Sequence, residues 1–368
     1  MVIYPIDFCP LNRFTKLIFI LVEYHCQGSV TMSNLTIRDI AKMAGVSTTA
    51  VSFVLNDRPG VSEATRQKVQ EIIRRTGFTP NVHTRRLNLG KSFTVHVVLR
   101  QFGDSLFNQF ALETLNSIFT VSKSLGYSVT LTFADSSTDC AQIIDSVRNK
   151  DCDGIILNQV SDPAILTQLQ QENIPFVCVD AHIPADMNVP MVGLDYYDAA
   201  YQATRYLYEQ GHTQIGFIGP KAPDVYYHNT FGGYAAALKD ANLTCDPAWL
   251  AEVTYSEDSA KKCIDHLLTL PQLPTAFLCA GDVFAVNIVR YAKEQGLRIP
   301  EDISIMSLDD LLVSRYLDPP LSTMTFNKEL LGESSMRLLY QIIQGAEHVT
   351  RNTIRTTPVE RGSVKIIE

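Results

Sequence analysis

The sequence predicts an α/β protein in two parts, a small all-helical head and a larger body of parallel sheets flanked by helices. Three observations predict it. Apolar residues recur at helical spacing on both sides of Gly45 within residues 36–60, strand and helix patterns alternate in two series from Phe93 onward, and charge divides between the two stretches. Residues 33–91 hold 10 Lys and Arg against 4 Asp and Glu, a net +6, whereas residues 92–368 carry −14. The whole-chain net charge of −8 hides this division. A small basic module on an acidic body is the distribution expected of a polyanion-binding head joined to a domain with a different task.

The 368 residues suffice for two or three domains, and 46% hydrophobic content with mean hydropathy +0.03 suits a chain with ample core. Eight cysteines show no CxxC or other metal-ligand spacing, so buried free thiols are expected and no metal or cofactor is. In residues 1–31, Arg13 and Lys16 precede an apolar run at 17–22. That run is too short to span a membrane and no small-residue cleavage site follows it.

In the head, Ile37, Ile40, Ala41 and Ala44 fall on one helical face, and Gly45 offers the backbone freedom a sharp turn needs. Ser47 can cap a second helix carrying Val51, Val54 and Leu55. Ser62 can cap a third, whose Val69, Ile72 and Ile73 close a three-helix core. This reads as a helix-turn-helix, with a generic helical hairpin as the alternative. Residues 80–90 begin with Pro80 and end with Gly90, a stretch too short to be a stable helix by itself.

Strands are expected at 94–99, 128–133, 154–157 and 176–179, with helices near 109–125, 139–149 and 163–172. A second series follows with strands at 191–194, 214–218, 276–279 and 304–307, and helices including 199–209 and 283–295. Repeated βα units imply parallel sheets, two series imply two lobes, and ligands of such sheets bind beyond the strands' carboxyl ends. No GxGxxG loop, GxSxG elbow or metal-ligand cluster interrupts the pattern, so catalysis is not expected.

The wording of these segments resembles the LacI/GalR (lactose repressor) family. TIRDIAKMAGVS, VSFVLN and PGVSEATR carry the likeness in the head, and CDGIIL, GHTQIGFIG, LPTAFLCAGD, GLRIPEDIS and LDDLLVSRYLDPPLST carry it through the body. The resemblance covers residue 36 to about 362. It implies a headpiece at 32–79, a hinge helix and linker at 80–91, and a two-lobed periplasmic-binding-protein-like body at 92–362, leaving a tail at 363–368. It further implies that 321–326 and the following helix return to the first lobe, and 353–359 to the second. Family chains begin near the position of Met32, so translation is expected to start there, with residues 1–31 disordered or not translated.

On this resemblance the start of the second helix faces the DNA major groove. Thr48 and Thr49 take the role of the main base readers, Ser47 suits a phosphate, and Thr36, Ser52, Phe53 and Asn56 complete the set. Phe53 replaces a common Arg and has two readings, an apolar base contact or packing against the third helix. Leu87 would be the wedge that paired hinge helices insert into the minor groove, with Arg85 and Arg86 near phosphates. Read without the family, Leu87 is an ordinary helix contact.

For the effector cleft the resemblance points to Phe107, Tyr255, Asp282, Asp309 and Phe326. His228 stands where an effector-binding Arg is common, and Gly281 replaces a common Asn. The expectation is a cytoplasmic, homodimeric repressor of a palindromic operator, governed by a small molecule, a sugar or sugar derivative. The rival readings are a solute-binding receptor and an enzyme on the same lobes; neither needs the basic head.

Overall fold

The computed structural model describes residues 35–55, 58–78, 90–100, 109–134, 137–183, 186–220, 225–346 and 351–368. The chain separates after Gly90 into two compact units. The first contains α1 (Ile37–Ala44), α2 (Thr48–Leu55) and α3 (Glu63–Thr76). Thr36 caps α1 in a reciprocal box: its hydroxyl accepts from the Asp39 amide and donates to the Asp39 carboxylate at 2.7 Å, which also accepts from the Thr36 amide. Gly45 ends α1 at φ 66°, a left-handed turn that a Cβ would strain.

The Ala50 amide donates to Ser47 Oγ at 3.1 Å, and the Thr65 amide donates to Ser62 Oγ at 3.3 Å, so both expected caps are present. Ile40, Ala44, Val51 and Val69 are fully buried, with Val54, Ile72 and Phe78 beside them. The three helices share one apolar core because their apolar stripes face inward together.

In chain order the body runs β1 (Thr94–Arg100), α4 (Gln109–Ser124), β2 (Ser128–Ala134), α5 (Ser137–Arg148), β3 (Gly154–Asn158), α6 (Pro163–Gln171), β4 (Phe176–Val179) and β5 (Met191–Leu194). It continues with α7 (Tyr196–Glu209), β6 (Ile215–Gly219), α8 (Val225–Asp240), β7 (Leu250–Glu252), α9 (Glu257–Leu267), β8 (Ala276–Cys279), α10 (Asp282–Glu294) and β9 (Ser304–Asp309). Last come β10 (Ser322–Phe326), α11 (Lys328–Ile343), β11 (Arg351–Ile354) and β12 (Thr356–Val359).

Two six-stranded sheets result, ordered β11-β5-β4-β3-β1-β2 and β12-β10-β9-β8-β6-β7. Pairing is parallel throughout except between β10 and β12. Strands β3, β4, β6 and β8 are buried on both faces, which explains their unbroken apolar runs. The chain passes between lobes at 194–196, 326–328 and 354–356, because α7 packs on the second sheet and α11 on the first.

Three expectations are corrected. The strand at 191–194 opens no second series: it pairs with β4 as the last βα-type strand of the first lobe. Residues 322–326 stay in the second sheet beside β9, so the return to the first lobe begins at α11, and residues 351–354 join the first sheet. Residues 363–368 are no free tail. Ser363 is fully buried, its hydroxyl donates to Ile305 O at 2.6 Å and accepts from the Ser322 amide, and the Ile367 amide donates to Gln210 O at 2.8 Å. Polar backbone at the lobe's edge takes the chain end as a partner rather than water.

Candidate functional site

The head presents Ser47, Thr48 and Thr49 as exposed residues at the start of α2. Unsatisfied amides and the helix dipole make such a start attractive to phosphate, while the two threonine side chains face solvent with both a hydroxyl and a methyl to offer. Ser47 also spends its hydroxyl oxygen on the Ala50 amide. Thr36 is exposed but engaged with Asp39, and it holds the Asp39 carboxyl below its ordinary range through hydrogen bonds. Ser52 and Phe53 are half-buried. The Phe53 ring lies against Gly60, where an added Cβ would come within 3.0 Å of it, so Phe53 packs on the turn preceding α3. Asn56, Arg85, Arg86 and Leu87 lie outside the described residues.

In the body, polar and aromatic groups from both lobes gather at the carboxyl ends of the strands. Four non-glycine residues there have left-handed backbone: Gln159 (φ 57°) after β3, Asp180 (φ 48°) after β4, and Asp309 (φ 103°) and Asp310 (φ 47°) at the end of β9. Such conformations are costly and persist where the surroundings hold them, commonly at binding sites. On the first-lobe side Asp180 accepts from Gln159 Nε2 at 2.7 Å and from the Tyr196 hydroxyl at 3.2 Å. Burial pushes its carboxyl up to about 7, against the lowering effect of those two donors.

Asn158, the last residue of β3, is 1% exposed, and among the described residues neither its amide nitrogen nor its amide oxygen has a partner. By strand alternation its side chain shares the sheet face of Ile156, beside Leu99 and Val179 in register. Buried amides are rarely left so, because the desolvation cost is unrecovered.

On the second-lobe side Asp309 lies over the start of α10. A Cβ on Gly281 would sit 3.4 Å from Asp309 Oδ2, and Gly281 has φ 126°, so glycine provides both the backbone and the room. Burial pushes the Asp309 carboxyl well up, helped by the charges of Asp282 and Asp180, while Lys328 and the Asp282 backbone oppose it. Tyr226 of α8 joins the two sides. Its ring meets Tyr196 edge-on at 4.7 Å and His182 at 5.7 Å, and its hydroxyl donates to Ala280 O at 3.1 Å.

The expected cleft residues separate into distinct roles. Asp309 stands at the centre, and Tyr255 is half-exposed with its ring 5.1 Å from Phe284. Asp282 is fully buried and bonded within the second lobe, accepting from the Leu311 amide (2.7 Å), Ser314 Oγ (2.5 Å) and Thr323 Oγ1 (2.8 Å). Those bonds make it a strap of the framework rather than a free ligand group. Phe326 is likewise buried, its ring 5.2 Å from Tyr196, at the crossing into α11. His228 is exposed on the first turn of α8 against Tyr227. Phe107 lies outside the described residues. Asp180, Asn158, Tyr196, His182 and Tyr226 escaped sequence reasoning, although Asp180 directly follows a strand's carboxyl end and could have been found there.

A helix-turn-helix head with an exposed helix start, on a two-lobed body with a polar and aromatic cleft, defines a ligand-responsive DNA-binding regulator. Residues 36–81 match the family described as bacterial regulatory proteins, lacI family, and residues 204–364 match a periplasmic binding protein-like domain. The HTH-type transcriptional repressor CytR of Escherichia coli K12 is 32% identical over 321 residues, covering 85% of this chain and 91% of CytR. The solved complex of the transcriptional regulator CelR with cellobiose is 26% identical with TM-score 0.68, covering 90% of this chain and 100% of CelR. The lac repressor dimer bound to operator and the anti-inducer ONPF shares the fold at TM-score 0.75 and 24% identity, covering 90% and 99%. The chain belongs to the lacI family: it is a DNA-binding transcription regulator under small-molecule control.

Proposed function

We propose that the protein acts as a cytoplasmic homodimeric repressor of a palindromic operator, released or recruited by a sugar or sugar derivative, and without enzymatic activity. The exposed Ser47, Thr48 and Thr49 at the start of α2 carry this reading, because they belong to a basic unit of the same chain that carries the cleft. One head reads one half-site, so a two-fold operator calls for two chains. Thr48 and Thr49 read base edges, Ser47 and Thr36 lie near the phosphates, and Phe53 stiffens the turn behind them. Arg85, Arg86 and Leu87 serve as hinge contacts to the minor groove, and Asn56 completes the head's surface toward DNA.

In the cleft, Asp180, Asp309 and the Asn158 amide offer acceptors to hydroxyls, while Tyr255 and Tyr226 offer ring faces to sugar C–H groups. Phe107 and His228 add contacts to the effector, and Asp282 and Phe326 hold the cleft's shape. The domain division 32–79, 80–91 and 92–362 fits this use, a reader, a hinge and a sensor. Retention of the full chain on genomic fragments, eluted with salt and repeated with each member of a carbohydrate panel, tests the reading. Steeply salt-dependent, sequence-selective retention that one sugar alters is expected. Equal retention of random and genomic fragments with every sugar overturns it.

A further inference from the structure

We infer that Asp153 is a positioning residue for DNA binding: its carboxylate holds the root of the segment that joins head to body, and so sets the direction in which that segment leaves the first lobe. This rests on the reading of residues 80–91 as a hinge and gives that hinge a fixed base. The body begins at Lys91, and Asp153 immediately precedes β3. One oxygen of the Asp153 carboxylate accepts from the Ser92 amide at 2.6 Å and from Ser92 Oγ at 2.9 Å, and the other accepts from the Phe93 amide at 2.9 Å. Two successive amides closing on one anion form a nest, which here is filled by the protein's own side chain.

These bonds serve no strand. Residues 92 and 93 come before β1, whose link to this end of β3 is made by backbone alone, the Asp153 amide donating to Thr94 O at 2.8 Å. What the carboxylate holds is a turn. Phe93 has φ 53°, a left-handed conformation that costs a non-glycine residue free energy and persists only where neighbours enforce it. Without the carboxylate Phe93 is released toward extended backbone, and the chain before it leaves in another direction. Ser92 is 5% exposed, so the turn is built into the lobe.

The same turn is tied to the crossing between lobes. The Phe93 ring lies 5.8 Å from Tyr127, Tyr127 meets Tyr340 edge-on at 6.1 Å, and Lys91 Nζ donates to Gln344 Oε1 at 3.4 Å. Tyr340 and Gln344 stand at the far end of α11, the helix that starts where the chain re-enters the first lobe. Gly154, next to Asp153, lets α11 close on β3, since a Cβ there would come within 3.0 Å of Leu339 Cδ1 and 3.1 Å of Ile343 Cδ1. A displacement of the second lobe that moves α11 reaches the hinge only if the hinge's root is fixed, and Asp153 fixes it. Selective binding needs each head in one register on the duplex, whereas non-specific binding needs only the head's charge. Freeing the backbone of one root residue therefore weakens the selective complex about tenfold and spares the charge-driven one.

The experiment compares full-length parent, Asp153→Asn and Ser92→Ala. Each is titrated with the genomic fragment that the parent retains most tightly and with random-sequence DNA of equal length, and melting temperature and hydrogen exchange over residues 91–94 are recorded. Asn keeps one acceptor but turns a donor toward the other amide, and Ala removes only the hydroxyl. Asp153→Asn is expected to weaken selective binding about tenfold, to leave random-DNA affinity and its salt dependence within about twofold, and to speed exchange of the Ser92 and Phe93 amides about tenfold. Ser92→Ala is expected to act in the same sense by about threefold, and it decides the matter should Asp153→Asn fail to fold. Loss of both kinds of binding in step with a lowered melting temperature would reveal a merely structural role and overturn the inference. Selective binding that both variants keep, or its loss with unchanged exchange, overturns it as well. A parent without selectivity overturns the reading of the hinge, and the inference with it.

Discussion

Asp180 and Asp282 show how one residue type acquires two roles from its neighbours. Asp282 receives three framework bonds, whereas Asp180, among the described residues, receives Gln159 and Tyr196. An ordinary aspartate ionises at 3.8, and Asp180 in the folded protein at about 7. Between those values the folded state holds a proton that the unfolded chain has released. Its contribution to stability is therefore complete at low pH and lost as pH rises through 7. Asp180→Asn removes that dependence. Urea unfolding of parent and variant should shift in the parent's disfavour by roughly 2–4 kcal/mol between about pH 5 and about pH 8; an unchanged difference would refute the assignment.

Asp282→Ala, by contrast, strands a buried amide and two hydroxyls. It should cost about 3 kcal/mol in urea unfolding at neutral pH, and a loss below about 0.5 kcal/mol would show that the strap is idle. At this scale the sequence revealed Asp309 because it ends a strand inside a recognisable motif. It concealed Asp180, Asn158, Tyr196 and Tyr226, whose meaning comes from partners 16 or more residues away or from a missing partner.

Helices of the head were legible because their signals are local: a cap, an apolar stripe and a glycine stop each lie within one turn. Thr36 illustrates the resulting ambiguity, since the hydroxyl that could reach a phosphate already closes the capping box on Asp39. If the cap is its main task, Thr36→Ala should speed hydrogen exchange of the α1 amides in the full chain by about fivefold, near 1 kcal/mol. Unchanged exchange with weakened DNA retention would assign Thr36 to DNA instead.

Sheet membership was less legible. A strand's pattern states that it is buried, but the choice of neighbour depends on pairing across the whole body, and so the patterns at 191–194 and 321–326 do not reveal the lobe that each strand joins. The docking of 363–368 depends likewise on Ile305, Ser322 and Gln210, which sequence spacing does not bring together. Close approach of α7 and α8 is another such fact. A Cβ on Gly233 would collide with Tyr197 O, so Gly233→Ala should cost roughly 1–3 kcal/mol in urea unfolding, and a neutral result would mean that the helices part freely.

Across the whole molecule, two properties set the coupling between ligand and DNA: a cleft whose walls belong to different lobes, and a chain that crosses between those lobes three times. A ligand touching both Asp180 and Asp309 has a different affinity for each angle between the lobes, and only that difference can be transmitted. Linkage then imposes a symmetric consequence. If the effector changes operator affinity by some factor, operator DNA must change effector affinity by the same factor, typically about 5- to 150-fold. Titration of the operator with and without saturating effector, and of the effector with and without saturating operator, should give equal ratios within error. The operator titration should also weaken by about a thousandfold between roughly 50 and 200 mM salt if about six phosphates are neutralised. Effector binding should keep its strength far better over the same range, because it releases no comparable number of counterions. Unequal ratios would break the equilibrium scheme outright. Equal ratios of one, with the effector nonetheless bound, would leave the cleft occupied but uncoupled and would move the regulatory site elsewhere in the body.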